Sequence, residues 1–189
     1  MTRALRPAAF LDRDGTLIEE VNYLHRPEQV RVIHGVAETL RRLRSEGVAL
    51  IVVTNQSGVA RGYFTEADVH AVHAHLEDLL GLRFDGIHAC FHHPHGEVPA
   101  YAGVCACRKP APGMLHDAAS AHGIDLRASA LFGDKVSDVA TGAPVGVRGW
   151  LVRTGHGARE CEFAAARAWP HAPSLPEAVA AWRDWAGPA

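Results

Sequence analysis

Two aspartates separated by one residue follow directly on an apolar run near the start of the chain. The run Ala8–Leu11 predicts a short buried strand, and Asp12-Arg13-Asp14-Gly15-Thr16 carries it into a glycine turn. Ligands of open α/β sheets bind at the carboxyl ends of strands. Two buried carboxylates repel each other unless a cation neutralises them. We therefore expect a Mg²⁺ site in which one carboxylate is also a nucleophile; the alternative is an ordinary Asp-Gly turn.

Polar or charged side chains also follow two later apolar runs of the chain. Ala49–Val53 is apolar and runs into Thr54-Asn55-Gln56-Ser57-Gly58, a loop suited to binding phosphate oxygens. Ala130–Gly133 predicts a third strand, and acids follow it at Asp134 and Asp138. Between them, Arg108-Lys109 is a pair of cations, with prolines after it that interrupt regular structure; the alternative is a solvated charge pair. Together these segments indicate phosphoryl transfer.

In this order, the motifs resemble those of the haloacid dehalogenase superfamily of phosphatases. The match covers residues 8 to about 155. Within the superfamily, the strings at 54–62, 105–110 and 133–135 are similar to the heptose 1,7-bisphosphate 7-phosphatase family. The related histidinol-phosphate phosphatases share the first motif and the Cys-Arg-Lys-Pro run but continue the second motif differently. This chain follows the heptose pattern there.

The resemblance implies a phosphatase with a Rossmann-like parallel sheet and helices on both faces. Asp12 would be the nucleophile that forms an aspartyl-phosphate, and Asp14 would be the general acid and base. Mg²⁺ would be held by the Asp12 carboxylate, the Asp14 backbone carbonyl and Asp134. The residues expected to offset the charge of the transferring group are Thr54, Asn55 and Lys109.

Four further side chains are predicted to contact the substrate, and a fifth is a candidate for supporting the site. Arg61 and Arg108 are candidates for a second, non-reacting phosphate, because a guanidinium fork suits phosphate oxygens. Arg61 could instead be a solvated loop residue. Ser57 and Lys135 are the other predicted substrate-binding residues. For Asp138, a role in orienting Lys135 or a water and a plain helix N-cap both stay open.

Cysteines and histidines between 90 and 107, the zinc loop, predict a second metal. The clips Cys90-x-His92 and Cys105-x-Cys107 flank a stretch rich in His, Pro and Gly. A Cys₃His set is closed and structural, so this zinc would leave no position for a reacting water. The competing ligands by spacing are His88, His93 and His95. The resemblance selects His92, and metal binding would order a loop that has little apolar content.

Apolar periodicity predicts several helices. They cover 35–46, a segment from Thr65 with a weak capping box at Asp68, 111–122, and a C-terminal segment that begins at Ser174. Pro144 should end the helix after the third strand early. Strand 149–152 is expected to be the last of the core. The histidines 70, 73 and 75 are expected at the surface, and the tryptophans 182 and 185 in the core.

Length and charge limit the alternatives. A chain of 189 residues with 48% apolar content fits one domain, 1–189, with core motifs at 8–155 and a helical extension at about 157–189. About 36 residues separate Asp12 from the second strand, too few for a large cap domain, which leaves specificity to the loops 17–30, 57–64 and the zinc loop. A net charge of −2 argues against nucleic acid and membranes as partners.

The segment Met1–Pro7 lacks an apolar signal, and no stretch reaches the roughly 18 apolar residues of a membrane span. We expect a cytoplasmic monomer that acts on a small sugar bisphosphate. The alternatives are a histidinol-phosphate or other sugar-phosphate phosphatase, a polynucleotide 3′-phosphatase and a non-enzymatic zinc-loop interaction module. The anomer preferred at C1 and the phosphate that is lost stay open at this point.

Overall fold

One parallel sheet of six strands runs through the protein. The computed structural model describes residues 5–186; residues 1–4 and 187–189, the two ends of the predicted domain, lie outside the described residues. The sheet has the order β3-β2-β1-β4-β5-β6. Its strands are β1 (Ala8–Leu11), β2 (Ala49–Asn55), β3 (Gly86–Cys90), β4 (Ala130–Gly133), β5 (Arg148–Val152) and β6 (His171–Ala172). Every neighbouring pair is parallel.

Within residues 5–186, six helices connect or follow these strands. They are α1 (Val36–Ser45), α2 (Glu66–Leu80), α3 (Gly113–His122), α4 (Val136–Gly142), α5 (Gly157–Ala166) and α6 (Leu175–Ala186). Short 3₁₀ turns lie at Pro27–Gln29 and Ala143–Val145. Across residues 5–186, no helix is both long and apolar enough to cross a bilayer.

The sheet is covered on both faces because successive side chains of a strand point to opposite sides. Ala9 and Leu11 of β1 join a core cluster with α1, α2 and α6. Ala8 and Phe10 join a second cluster with α3, and α4 and α5 pack on Leu151 of β5. A parallel sheet with buried faces explains why its strands read as continuous apolar runs. The predicted fold class is confirmed, and the segment between β1 and β2 forms no large cap.

Most helix boundaries agree with the sequence prediction. The capping box of α2 is present, with the Asp68 carboxylate accepting from the Thr65 backbone and the Thr65 hydroxyl accepting from the Asp68 backbone. α4 ends at Gly142, directly before the 3₁₀ turn that contains Pro144, as expected. Strand β3 was missed, because Gly-Ile-His-Ala-Cys is short and carries no apolar run.

Two predictions of side-chain burial were wrong, one for a residue expected at the surface and one for a residue expected in the core. His73 is buried, with 4% of its surface exposed, because α2 turns this side chain toward the interior beside Arg13. Trp185 is 55% exposed and lies against Arg148, whereas Trp182 is fully buried as predicted. Strand β5 is not the edge of the sheet either, since the two-residue β6 pairs with it.

The order of strands in the sheet changes direction at β1. Strands β2 and β3 lie on one side of it, and β4, β5 and β6 lie on the other. Such a switch point opens a crevice at the carboxyl ends of the strands, where open α/β sheets bind ligands. The backbone N–H of Asp12 donates to Phe132 O at 2.9 Å, which ties the end of β1 to β4. Asp12 and Asp134 therefore emerge side by side at this crevice.

Candidate active site

A buried lysine amine joins groups from distant parts of the chain. Lys109 Nζ lies 2.6 Å from Asp12 Oδ1 and 2.7 Å from Asp138 Oδ1. It also donates to the backbone oxygen of Val53 at 2.8 Å. Burial alone would lower the pKa of Lys109, but the two carboxylates raise it above its ordinary value, so the amine stays charged. The predicted nucleophile is thus held by a permanent cation.

Asn55 has a different use from the one expected. Its Oδ1 accepts from the backbone N–H of Lys109 at 3.1 Å, and its Nδ2 donates to the Lys109 carbonyl at 3.2 Å. Both ends of the amide therefore bind the backbone of the lysine. The asparagine fixes Lys109 in place, so its effect on a phosphate would pass through the lysine amine.

Three carboxylates converge beside this lysine and fit a divalent cation. Oxygens of Asp12, Asp134 and Asp138 lie within 4.8 Å of one another. Burial raises the pKa of Asp12 to about 6 even though Lys109 opposes the shift. Burial and the charge of Asp12 raise the pKa of Asp134 to about 8. A further positive charge beside these acids would favour their ionised forms.

The surroundings of Asp134 indicate most clearly that a cation binds beside these acids. Its Oδ2 accepts from the backbone N–H of His156 at 2.7 Å. Its Oδ1 is buried and has no hydrogen-bond partner among residues 5–186. A buried oxygen without a donor is costly unless a cation binds it. Hard oxygen donors suit Mg²⁺, so the residues present fit the metal predicted from the sequence.

The glycine after the two aspartates is required by this arrangement. Gly15 has φ +78°, in the left-handed region that favours glycine, and a Cβ there would lie 2.2 Å from Asp134 Oδ2. The turn therefore brings the Asp12–Asp14 segment against Asp134 only because Gly15 has no side chain. The Asp-Gly pair is part of the site as well as a turn.

Asp14 lies in a network that the sequence analysis did not identify. Arg13, only 1% exposed, donates to both carboxylate oxygens of Asp14 at 3.0 Å. Gln56 Nε2 donates to Asp14 Oδ2 at 2.9 Å and to Thr54 Oγ1 at 2.8 Å. An arginine between two aspartates and a glutamine after Thr54-Asn55 read as ordinary loop residues. Their pairing depends on contacts over more than forty positions.

Asp138 lies in α4, and Asp134 comes two residues before this helix. Asp138 Oδ2 accepts from the backbone N–H of Lys135 at 3.0 Å, as an N-terminal cap. Its other oxygen binds Lys109, a partner that the sequence did not indicate, and Asp138 is the N3 residue of a capping box in which Lys135 is the N-cap. Lys135 Nζ lies 3.9 Å from Asp134 Oδ1 and 3.8 Å from Glu20 Oε2. Lys135 therefore stands at the rim of the acidic group.

A polar cleft opens above these groups. Two of the three loops expected to set specificity line it, with side chains that include Glu20, Tyr23, Ser57 and Phe64; Lys135 lines the same cleft. Ser57 and Lys135 are therefore placed as predicted substrate-binding residues would be.

The two arginines expected at a second phosphate lie toward the zinc loop instead. Arg61 Nη2 is 3.2 Å from His93 Nε2. Arg108 Nη1 donates to the backbone oxygen of His92 at 3.1 Å. Neither arginine is among the described residues that line the cleft. They form a cationic group beside His93.

The zinc loop brings its four predicted ligands together. Ligand atoms of Cys90, His92, Cys105 and Cys107 lie within 4.8 Å of one another. Cys107 Sγ is 3.1 Å from both other sulfurs and 3.7 Å from His92 Nδ1, and all three cysteines are free. A Cys₃His set of this kind fits a structural zinc site.

The competing histidines face elsewhere. His88 on β3 lies edge-to-face with His122. His93 accepts from the backbone of His95 and contacts Arg61. The geometry thus favours His92 as the histidine of the zinc site.

Known proteins share this sequence and fold. A family model described as HAD-hydrolase-like matches residues 106–178. The chain is 47% identical to the D-glycero-beta-D-manno-heptose-1,7-bisphosphate 7-phosphatase of Escherichia coli (strain K12) over 154 residues, 79% of this chain and 80% of that protein. It is 44% identical to the D-glycero-D-manno-heptose-1,7-bisphosphate 7-phosphatase of Thermosynechococcus vestitus over 164 residues, 83% of this chain and 84% of the relative.

A solved structure agrees over nearly the whole length. The D,D-heptose 1,7-bisphosphate phosphatase of B. bronchiseptica, in a crystal structure with magnesium and phosphate, superposes with a TM-score of 0.79 at 32% identity. The alignment covers 93% of this chain and 96% of the other. Both the sequence and the fold thus point to the same group of proteins.

Proposed function

The chain belongs to the heptose 1,7-bisphosphate 7-phosphatase family of HAD-like hydrolases, and we propose that it removes the C7 phosphate of D-glycero-D-manno-heptose 1,7-bisphosphate. The observation that carries this proposal is the buried carboxylate of Asp12. It is held by Lys109 and lies beside Asp134, whose orphaned oxygen fits a cation. Curated relatives at 44–47% identity are phosphatases named for heptose bisphosphate, which favours this substrate over histidinol phosphate.

Asp12 is the proposed nucleophile. Lys109 donates to its Oδ1, which leaves Oδ2 to attack the phosphorus in line. The Oδ2–P bond forms while the bond between phosphorus and the sugar oxygen breaks. Lys109, held by Asn55, offsets the charge that develops on the transferring group. When bound to Asp12 and Asp134, Mg²⁺ supplies positive charge that neutralises the acids and the phosphate oxygens.

Asp14 is the proposed acid and base. It donates a proton to the departing sugar oxygen, which leaves as an alcohol. It then accepts a proton from the water that attacks the phosphorus of the aspartyl-phosphate, and phosphate and the Asp12 carboxylate are released. Asp14 carries 16% exposed side chain and opens into the cleft, so substrate and water can both reach it.

The remote phosphate of the substrate is assigned to Arg61 and Arg108. Burial, with these two guanidinium groups, lowers the pKa of His93 between them, as expected for a crowded cationic group. Charged donors in this number suit a phosphate dianion. The sugar would then extend from Asp12 past Ser57 toward the zinc loop, with Lys135 on the other side of the nucleophile.

Phosphate release tests the proposal. Wild type and the Asp12→Asn variant are assayed with Mg²⁺ on both C1 anomers of the heptose bisphosphate and on histidinol phosphate. We expect Mg²⁺-dependent release from a heptose bisphosphate, and ³¹P NMR of the product should show the C1 phosphate retained. Preference for histidinol phosphate, or loss of the C1 phosphate, would contradict the substrate assignment.

The expected monomeric state and cytoplasmic location stay proposals. Sedimentation equilibrium and cell fractionation would test them directly. The net charge of −2 supports the proposal that the enzyme acts on a small molecule and not on a nucleic acid.

A further inference from the structure

Asp14 receives more hydrogen bonds than an ordinary exposed carboxylate. Arg13 donates from Nε to Oδ2 and from Nη2 to Oδ1, each at 3.0 Å. Gln56 Nε2 adds a third donor, 2.9 Å from Oδ2. A forked guanidinium with a second donor fixes both the position and the plane of a carboxylate. Asp14 therefore cannot rotate freely within the cleft.

The donors are themselves held in place. Arg13 Nη2 also donates to Gln56 Oε1 at 3.1 Å, so the arginine and the glutamine bind each other as well as Asp14. Gln56 Nε2 continues to Thr54 Oγ1, at the end of β2. The three side chains form a closed group in which each orients the others.

His73 closes the far side of this group. Its Nε2 lies 3.4 Å from Arg13 Nη1. Since arginine only donates, Nε2 must accept, and the ring proton resides on Nδ1. Burial, with the charge of Arg13, lowers the pKa of His73 to about 3, so the ring is a neutral acceptor at physiological pH. His73 is not among the described residues that line the cleft, and its contact with this group is the one to Arg13.

We propose that Arg13, Gln56 and His73 are positioning residues that aim Asp14 Oδ1 at the leaving oxygen of the substrate. Oδ2 already accepts from Arg13 Nε and Gln56 Nε2, which occupies both of its lone pairs. Among residues 5–186, Oδ1 has one donor, Arg13 Nη2 at 3.0 Å, and that donor also lies 2.9 Å from Oδ2, so Oδ1 is the less occupied oxygen and the one that can carry the transferred proton. This assignment rests on the proposed function, in which Asp14 protonates the sugar oxygen.

The proposal predicts that the loss of activity in these variants depends on the leaving group of the phosphate ester. A sugar or alkyl oxygen must be protonated as its bond to phosphorus breaks, whereas 4-nitrophenolate leaves without a proton. Loss of aim at Asp14 should therefore slow alkyl phosphates more than 4-nitrophenyl phosphate. The relevant quantity is kcat/KM, because it ends at the first irreversible step and excludes later hydrolysis of the aspartyl-phosphate.

Four variants test the network. Gln56→Leu removes one donor to Asp14, and His73→Leu removes the acceptor of Arg13 from a distance. His73→Gln keeps an acceptor, and His70→Leu makes the matched change at an exposed position of the same helix. Each variant is assayed with the heptose bisphosphate, glycerol 3-phosphate and 4-nitrophenyl phosphate.

We expect Gln56→Leu to lower kcat/KM for the alkyl esters about tenfold or more beyond its effect on 4-nitrophenyl phosphate, a fraction of what a general acid contributes. His73→Leu should change the same ratio in the same direction by about threefold or more, while His73→Gln and His70→Leu keep the wild-type ratio. The His73 variants keep the test decisive if Gln56→Leu does not fold.

Equal losses on alkyl and aryl esters would overturn the positioning role, since packing or phosphate binding affects both alike. An unchanged ratio in every variant would overturn it too. A failure of the proposed function would give a different result from a failure of the positioning role. Wild type would then not hydrolyse the heptose bisphosphate but would still cleave glycerol 3-phosphate. The network would then be tested with glycerol 3-phosphate. A wild type inactive on all esters would overturn both proposals.

Discussion

Replacing Asp134 with asparagine should stabilise the magnesium-free protein, by an amount that grows with pH. Burial and the neighbouring Asp12 raise the pKa of Asp134 from 3.8 to about 8. The folded state therefore holds a proton that the unfolded state releases, and the free energy of unfolding falls as pH rises between these two values. Asparagine cannot ionise, yet its amide oxygen can still accept from the backbone of His156, as Asp134 does at 2.7 Å.

The size of the effect follows from the pKa. One pH unit inside this window corresponds to ~1.4 kcal/mol. Between pH 6.5 and 8 the wild type should lose about 1.5 to 2 kcal/mol relative to Asp134→Asn. The comparison begins at pH 6.5 because the buried His73, whose pKa is lowered to about 3, makes the wild type and the variant alike less stable below that value. Lys109, whose pKa is raised, stays protonated between pH 6.5 and 8, so its contribution to the free energy of unfolding does not change over this interval.

Urea unfolding measures this difference. Both proteins are dialysed against magnesium-free buffer without a chelator that would strip the zinc, and unfolded at pH 6.5 and 8. Added Mg²⁺ at about a hundred times its dissociation constant should then stabilise the wild type by ~2.7 kcal/mol and the variant far less. Asp184→Asn, at an exposed position of α6, is the matched control. A stability difference that does not change with pH would refute the raised pKa, and equal stabilisation by Mg²⁺ would refute Asp134 as a ligand.

Three further outcomes are expected. Asp12→Asn should fold, by circular dichroism, and retain less than about a hundredth of the wild-type kcat, since the variant lacks the carboxylate that forms the proposed intermediate; higher retained activity would remove Asp12 as nucleophile. Elemental analysis of protein purified without chelators should find near one zinc per chain, and Cys105→Ser should lose it with a lower Tm; zinc retained in the variant would contradict the ligand set. Arg61→Ala should lower kcat/KM for the bisphosphate about ten- to a hundredfold more than for histidinol phosphate, and equal losses would assign Arg61 to loop structure.

The sequence predicted the parts of the site that follow strand ends. Asp12, Thr54 and Asp134 each come directly after an apolar run, and parallel strands bring their carboxyl ends to one edge. Their meeting is therefore a consequence of local pattern and fold class. The two short clips of Cys and His predicted a zinc site, but spacing left several histidines open, and the family resemblance selected His92.

The partners of those side chains were not predictable. Asn55 resembled a phosphate ligand, but both ends of its amide bind the backbone of Lys109, fifty-four positions later. His73 lies four residues after Val69 and three before Leu76, so helical spacing places it on the apolar face of α2, but nothing near it in sequence shows that Arg13 lies opposite. Such pairings depend on where whole elements pack, which residue spacing within one element does not encode.

Lys109 shows how the two metal sites are connected through the chain. Cys107 precedes it by two residues, so the zinc ligands fix one side of the segment that carries the lysine. Asn55 fixes its backbone, and Asp12 and Asp138 fix its amine. A buried amine between two carboxylates is stabilising only while its geometry is kept, because removing either partner leaves an uncompensated charge. A zinc held by these ligands would therefore support the reacting centre by restraining the lysine segment, since a closed Cys₃His set suits a structural role.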